Sequence, residues 1–355
     1  MTDIWSPITL GGAQLPHRLA MAPMTRSRAK PDGTPSDLAP EYYAQRATMG
    51  LLITEGTQPS GDGQGYLATP GVYTDAHVAG WREVADAVHH AGGRLFVQLM
   101  HVGRISHPEN TPHHRQPVAP SAITPGVDMF TMTGMQPIPE PRALTTAEVR
   151  QTAADFANAA RRAVEAGADG VEVHGANGYL VHQFLAPNAN RRTDEYGGAM
   201  ENRARFAIEV VRAIVEAIGT ERTAIRLSPG LPTGGIVEGQ DNDDLYRYLA
   251  AEFDKMGIAY LHLLHIGNEA LAADIRNAFG SVLIVNRPGR RRDQIGSDVA
   301  SGLADIEALG TMALANPDLV ERLKTGAPFN EVRKDLFYAG GGAEGYTDYP
   351  TLTAG

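Results

Sequence analysis

Eight short apolar runs, each followed by a longer stretch, predict a single (β/α)8 TIM barrel over residues 1–355. Eight is the number a closed parallel barrel requires, and 355 residues accommodate one large barrel without a second domain. A doubly wound open sheet is the competing arrangement for alternating βα units. No Gly-x-Gly-x-x-Gly follows any of the runs, which counts against it.

In chain order the expected strands are 19–23, 51–56, 94–100, 170–174, 223–228, 258–264, 281–286 and 305–310. Each is short and mostly apolar, as a strand covered on both faces must be. Helices are expected over 145–166, 201–218 and 242–256, where apolar residues recur at helical spacing; Thr145 and Glu148 open the first with the spacing of a capping box. Residues 102–144, rich in Pro, His and Gly, are too many for an ordinary loop and are expected to form a lid-like excursion over the barrel mouth. His107, His113 and His114 lie in it without a matching carboxylate or Cys pattern, so they read as solvated loop residues and no metal is expected.

The chain has no Cys, which excludes disulfides, thiolate nucleophiles, Cys-ligated zinc and iron–sulfur clusters. Any redox chemistry therefore needs an organic cofactor. Thirty-one Lys and Arg against 41 Asp and Glu give a net charge of −10, which argues against nucleic acid or an anionic membrane as partner. No apolar run approaches the length of a membrane span, and no basic segment with an apolar run follows Met1, so a cytoplasmic location is expected. Lys occurs only at positions 30, 255, 324 and 334, so most positive charge sits on forked guanidinium groups suited to carboxylate or phosphate.

Active sites of such barrels are built from the C-terminal ends of the strands. The fourth run ends in His174-Gly-Ala-Asn177-Gly-Tyr179. A His and an Asn three residues apart on a turn can aim two donors at one oxygen, as a developing enolate requires; on spacing alone they could equally cap a loop. The Tyr179 phenol can deliver a proton nearby. Arg226 sits in an otherwise apolar strand, a costly place unless it meets a carboxylate or an anionic cofactor. Gly56 closes the second run and lets a ring system approach the backbone. Taken by themselves, Thr25 and Gln98 read as polar barrel lining.

The runs His174-Gly-Ala-Asn-Gly-Tyr-Leu-Val-His-Gln-Phe-Leu185, Arg192-Thr-Asp-Glu-Tyr-Gly-Gly198 and Glu201-Asn-Arg203 are long and distinctive. Together with Met21-Ala-Pro-Met-Thr25-Arg26 and Gly345-Tyr-Thr-Asp-Tyr-Pro350, they make the chain resemble the old yellow enzyme family of flavin-dependent ene-reductases over nearly its whole length. The resemblance implies bound FMN, NAD(P)H as hydride source, and an activated alkene (an enone, maleimide or nitroalkene) as substrate. It implies that His174 and Asn177 clamp the activating group and that Tyr179 protonates Cα. It places Thr25 at flavin O4, Gln98 at the pyrimidine edge and Arg226 beside N1 and O2, with Pro23 and Gly56 also on the cofactor side. Tyr66, Met100 and Tyr346 match positions lining the substrate side, and Met100 stands where relatives often carry Trp, which implies a roomier pocket.

The match fails where the cofactor phosphate is expected. The seventh strand runs into Asn286-Arg287-Pro288-Gly289-Arg290-Arg291-Arg292, and the eighth into Gly310-Thr311. Pro288 removes a backbone donor, and Thr311 stands where a guanidinium is usual. Either Arg287 or Arg290 takes over the phosphate beside Gly310 and Thr311, or an F420-type deazaflavin with a longer acidic tail replaces FMN. A third reading is a scaffold that has lost its cofactor, against which stands the intact set His174, Asn177 and Tyr179. Glu307, in the middle of the eighth run, has no role on this reading.

Overall fold

The computed structural model describes residues 2–338 and 342–352. All eight expected runs are strands: β1 (Leu19–Met21), β2 (Leu51–Ile53), β3 (Leu95–Leu99), β4 (Gly170–Gly175), β5 (Thr223–Leu227), β6 (Tyr260–Leu264), β7 (Val282–Asn286) and β8 (Ile306–Leu309). They pair in parallel in sequence order, and β8 closes onto β1. The first two end before the expected limits. Pro23 cannot donate a ladder bond, and beyond Ile53 the Glu55 carboxylate turns to accept from the Arg26 N–H at 3.0 Å.

The expected helices are α2 (Thr146–Glu165), α3 (Met200–Ile218) and α4 (Asn242–Met256); α1 (Asp75–His90) and α5 (Glu269–Ala278) complete the larger ones. The capping box at α2 is formed: Thr145 Oγ1 accepts from the Glu148 N–H at 3.2 Å, and Glu148 Oε2 accepts from the Thr145 N–H at 2.8 Å. Thr145→Ala is expected to cost about 1 kcal/mol, read as a lowered midpoint in equilibrium urea denaturation.

The barrel interior has two zones. Ala20, Leu51, Phe96, Ala224, Tyr260, Ile284 and Ile306 fill its lower part. An N-terminal antiparallel hairpin, Ile8–Leu10 with Ala13–Leu15, adds Leu10 and Leu15 to that cluster and closes this end. Toward the mouth the inward positions become polar: Gln98, Glu172, His174, Arg226, His262 and Asn286 are all buried. Groups so placed must find partners, and these hold one another.

Residues 102–144 contain a hairpin, Asp128–Thr131 with Gly134–Pro137, and a second short pairing, Val118–Ala119 with Arg142–Ala143. Asn110 ties the hairpin down by donating to the Phe130 carbonyl at 2.9 Å and the Gly65 carbonyl at 3.0 Å. Met129 and Ile138 pack with Met100, Val102 and Ile105, and against Tyr66 and Tyr179. His107 and His114 make local hydrogen bonds and His113 reaches the Gly61 carbonyl, and no group of three or more His, Cys, Asp or Glu among the described residues could hold a metal ion. No helix among them is long and apolar enough to cross a membrane.

Candidate active site

The turn after β4 brings His174, Asn177 and Tyr179 together because Asn177 and Gly178 both adopt positive φ, 56° and 80°. Asparagine tolerates that conformation and glycine is required next to it, since a Cβ at 178 would overlap the Thr233 carbonyl. Ser228, at the end of β5, accepts from the Asn177 N–H at 2.9 Å and fixes the turn. His174 Nδ1 accepts from the Ala176 N–H at 3.3 Å, so the proton of the neutral ring lies on Nε2. Burial first, then the charge of Arg226, holds the imidazole well below its usual pKa and keeps it neutral. His174 Nε2 and Asn177 Nδ2 lie 3.5 Å apart, which lets both donate to a single oxygen. The Tyr179 ring meets His174 edge-on at 4.9 Å, and its hydroxyl lies 3.1 Å from that of Tyr66. Burial, reinforced by Tyr66, pushes the Tyr179 phenol well above its usual range, so it remains a proton donor.

Beneath this turn lies the polar zone. Arg226 pairs in register with His174 on one side and His262 on the other. Its Nη2 donates to Asn286 Oδ1 at 3.0 Å, and its buried Nε has no hydrogen-bond partner. Gln98 Nε2 donates to Glu172 Oε1, and His262 Nδ1 meets Glu172 Oε2, both at 2.8 Å. Burial works against the charged Glu172 carboxylate, but His262 and Arg226, with the Gln98 amide, outweigh it and hold its carboxyl below the usual range. Sequence reasoning missed Glu172 and His262; their signal was a carboxylate and an imidazole at inward positions of β4 and β6.

A cavity of about 830 Å³ opens above. Thr25 and Ser27 line it on one side, Asn177 and Tyr179 on another, and Tyr66 beside Ile105; the lid contributes Met129, Phe130, Met135 and Ile138. Two of the three expected substrate-side residues lie elsewhere. Met100 is buried behind the wall, where a Cβ on Gly56 would overlap its thioether. Tyr346 stacks on Tyr42 at 4.2 Å under the guanidinium groups of Arg26 and Arg28, away from the cavity. The lid residues and Tyr338 that take their place were not singled out from sequence, because an irregular segment carries no periodicity that says which side chains face inward.

Residues 3–330 match the model of the NADH:flavin oxidoreductase / NADH oxidase family. The chain belongs to that family. It is 41% identical to the Leishmania infantum protein named "Probable flavin mononucleotide-dependent alkene reductase", over 98% of this chain and 96% of that one. It is 40% identical to 12-oxophytodienoate reductase 1 of Oryza sativa subsp. japonica, over 98% of this chain and 92% of that one. Among solved structures, morphinone reductase in complex with tetrahydroNAD superposes with a TM-score of 0.95 at 44% identity, covering 99% of this chain and 98% of that one. The family and these relatives support the FMN-dependent reading and give the F420-type deazaflavin none.

In this NADH:flavin oxidoreductase two features fit the flavin ring: the buried Arg226 Nε has no partner, and Thr25 faces the cavity; over Gly56 the space a Cβ would take is filled by the Met100 thioether. The expected phosphate grip differs. Arg287 spends its donors on Glu269, at 2.6 and 2.9 Å, and on Asp298, at 2.8 and 3.1 Å. Arg290 is buried between Asp298 and Glu307. Arg291 pairs with Asp293, and Arg292 donates to the Ala327 and Arg322 carbonyls over the Phe329 ring. The expectation that Arg287 or Arg290 offers an open guanidinium to the cofactor is thus corrected: nearby carboxylates already occupy both. Gly310 and Thr311 lead into a short helix, Thr311–Ala315.

Proposed function

We propose that the chain is an FMN-dependent ene-reductase that uses NAD(P)H to reduce the C=C bond of small activated alkenes such as enones, maleimides and nitroalkenes. The observation that carries this reading is the pair of nitrogens, His174 Nε2 and Asn177 Nδ2, 3.5 Å apart beside the Tyr179 phenol, with Asn177 and Tyr179 lining the cavity. Bound FMN supplies the relay of hydride from the nicotinamide to the alkene Cβ. His174 and Asn177 grip the activating oxygen, and because both are neutral donors they favour the oxygen most strongly when it gains negative charge. Tyr179 gives its proton to Cα, and Tyr66 stands within reach to reprotonate it. Arg226 would offer positive charge to the pyrimidine side of the ring, with Gln98 and Thr25 at its edges and Pro23 and Gly56 on the same side. On this reading the described chain works as one barrel, with residues 102–144 as its lid, in the cytoplasm, where NAD(P)H is at hand.

The test is oxidation of NADPH or NADH by the FMN-loaded protein under anaerobic conditions. Addition of 2-cyclohexenone or N-ethylmaleimide should start rapid oxidation and yield the saturated product. Nicotinamide oxidation that no activated alkene accelerates, and no saturated product, would overturn the proposal.

A further inference from the structure

The loops after β7 and β8 are where (β/α)8 barrels commonly bind the phosphate of a ligand, through backbone N–H groups and cationic side chains. In this chain that corner is already neutralised from within. Glu307 projects from the outer face of β8, 1% exposed. Its Oε1 accepts from the Asp298 N–H at 2.8 Å and the Val299 N–H at 3.4 Å, and its Oε2 from the Gly296 N–H at 2.8 Å. It also pairs with Arg290, whose other terminal nitrogen contacts Asp298. Arg287 lies between Asp298 and Glu269. Two guanidinium groups thus face three carboxylates, and Glu307 takes the N–H groups of Gly296, Asp298 and Val299 at the start of the short helix Ser297–Ser301. Pro288 offers no N–H, and Thr311 offers no charge.

A phosphate dianion drawing on Arg290, or on the Arg287 contact with Asp298, would have to break internal ion pairs and leave the buried carboxylate of Asp298 or Glu307 uncompensated, whereas Glu269 is exposed. At the ring end the buried Arg226 Nε stands without a partner. We infer that this chain holds its flavin by the ring and takes little binding from the phosphate, with Glu307 and Asp298 as internal anions that occupy the cations a phosphate would use. FMN and riboflavin should therefore bind alike. The inference rests on the flavin site of the proposed function.

Titration of flavin-stripped protein with FMN and with riboflavin, followed by quenching of flavin fluorescence, reads the two affinities directly. Dissociation constants within about threefold of each other, both insensitive to salt between low and physiological ionic strength, are expected. FMN binding 30-fold or more tighter than riboflavin would overturn the inference and leave the proposed function standing. Binding of neither flavin would overturn both. Asp298→Asn removes the carboxylate shared by Arg287 and Arg290, and it should tighten FMN about tenfold while leaving riboflavin unmoved. Equal affinities for FMN before and after the substitution would count against the role given to the carboxylates. The wild-type comparison decides the main point even if the variant does not fold.

Discussion

A His174→Ala/Asn177→Ala double variant is expected to lower kcat/KM for 2-cyclohexenone by about 10³-fold, with the flavin still reduced by NAD(P)H at its normal rate. Removing a single donor to a developing oxyanion costs about 10²- to 10³-fold. The two donors here serve one oxygen, so their losses do not simply multiply. Stopped-flow mixing of the reduced enzyme with the enone separates this step from reduction. A decrease smaller than tenfold would remove the pair from the chemistry. The pH profile gives a second reading. His174 is held neutral by burial and Arg226, so its protonation falls well below its ordinary 6.5, and Tyr179 is raised above its ordinary 10.0. Acidification toward about pH 6 therefore leaves both donors and the phenol unchanged, as does a rise toward about pH 9. The rate of alkene reduction should be flat across that window.

Tyr179→Phe is expected to slow alkene reduction by about 10²-fold while leaving flavin reduction unaltered. Loss of a positioned proton donor costs about 10²- to 10⁴-fold. The lower end applies because the Tyr66 hydroxyl sits 3.1 Å from that of Tyr179 and can deliver a proton with a small shift. The Tyr66→Phe/Tyr179→Phe variant should be slower again by about tenfold, which distinguishes a protein donor from bulk water. Equal rates for the single and double variants would assign the residual proton to solvent.

The barrel was readable from sequence because a strand covered on both faces must be mostly apolar, and eight such runs leave little choice of architecture. Helix α2 was readable to its cap, since a capping box is a local bargain between Thr145 and Glu148. The β4 turn was readable through its resemblance: spacing alone left His174 and Asn177 as a possible loop cap, and the long run from His174 to Leu185 gave them and Tyr179 their roles. What could not be read were contacts made across the fold. Met100 and Tyr346 are ordinary apolar choices, and whether they face a cavity or a neighbour depends on elements far away in the chain. The lid hairpin lacked turn residues of a recognisable two-residue type. The arginine cluster misled for the same reason: its partners Glu269, Asp298 and Glu307 come from three separate elements. Glu307 looked like a misplaced charge within a strand because its strand faces outward there, onto a short helix that it caps.

The N-terminal hairpin has a consequence for traffic through the enzyme. With Leu10 and Leu15 stoppering the far end of the barrel, nicotinamide and alkene must come and go through the same doorway, between Tyr66, Tyr179 and the lid. Two visitors sharing one doorway take turns. Initial rates at several fixed alkene concentrations should therefore give parallel double-reciprocal lines against NAD(P)H, and a large excess of either visitor should obstruct the other.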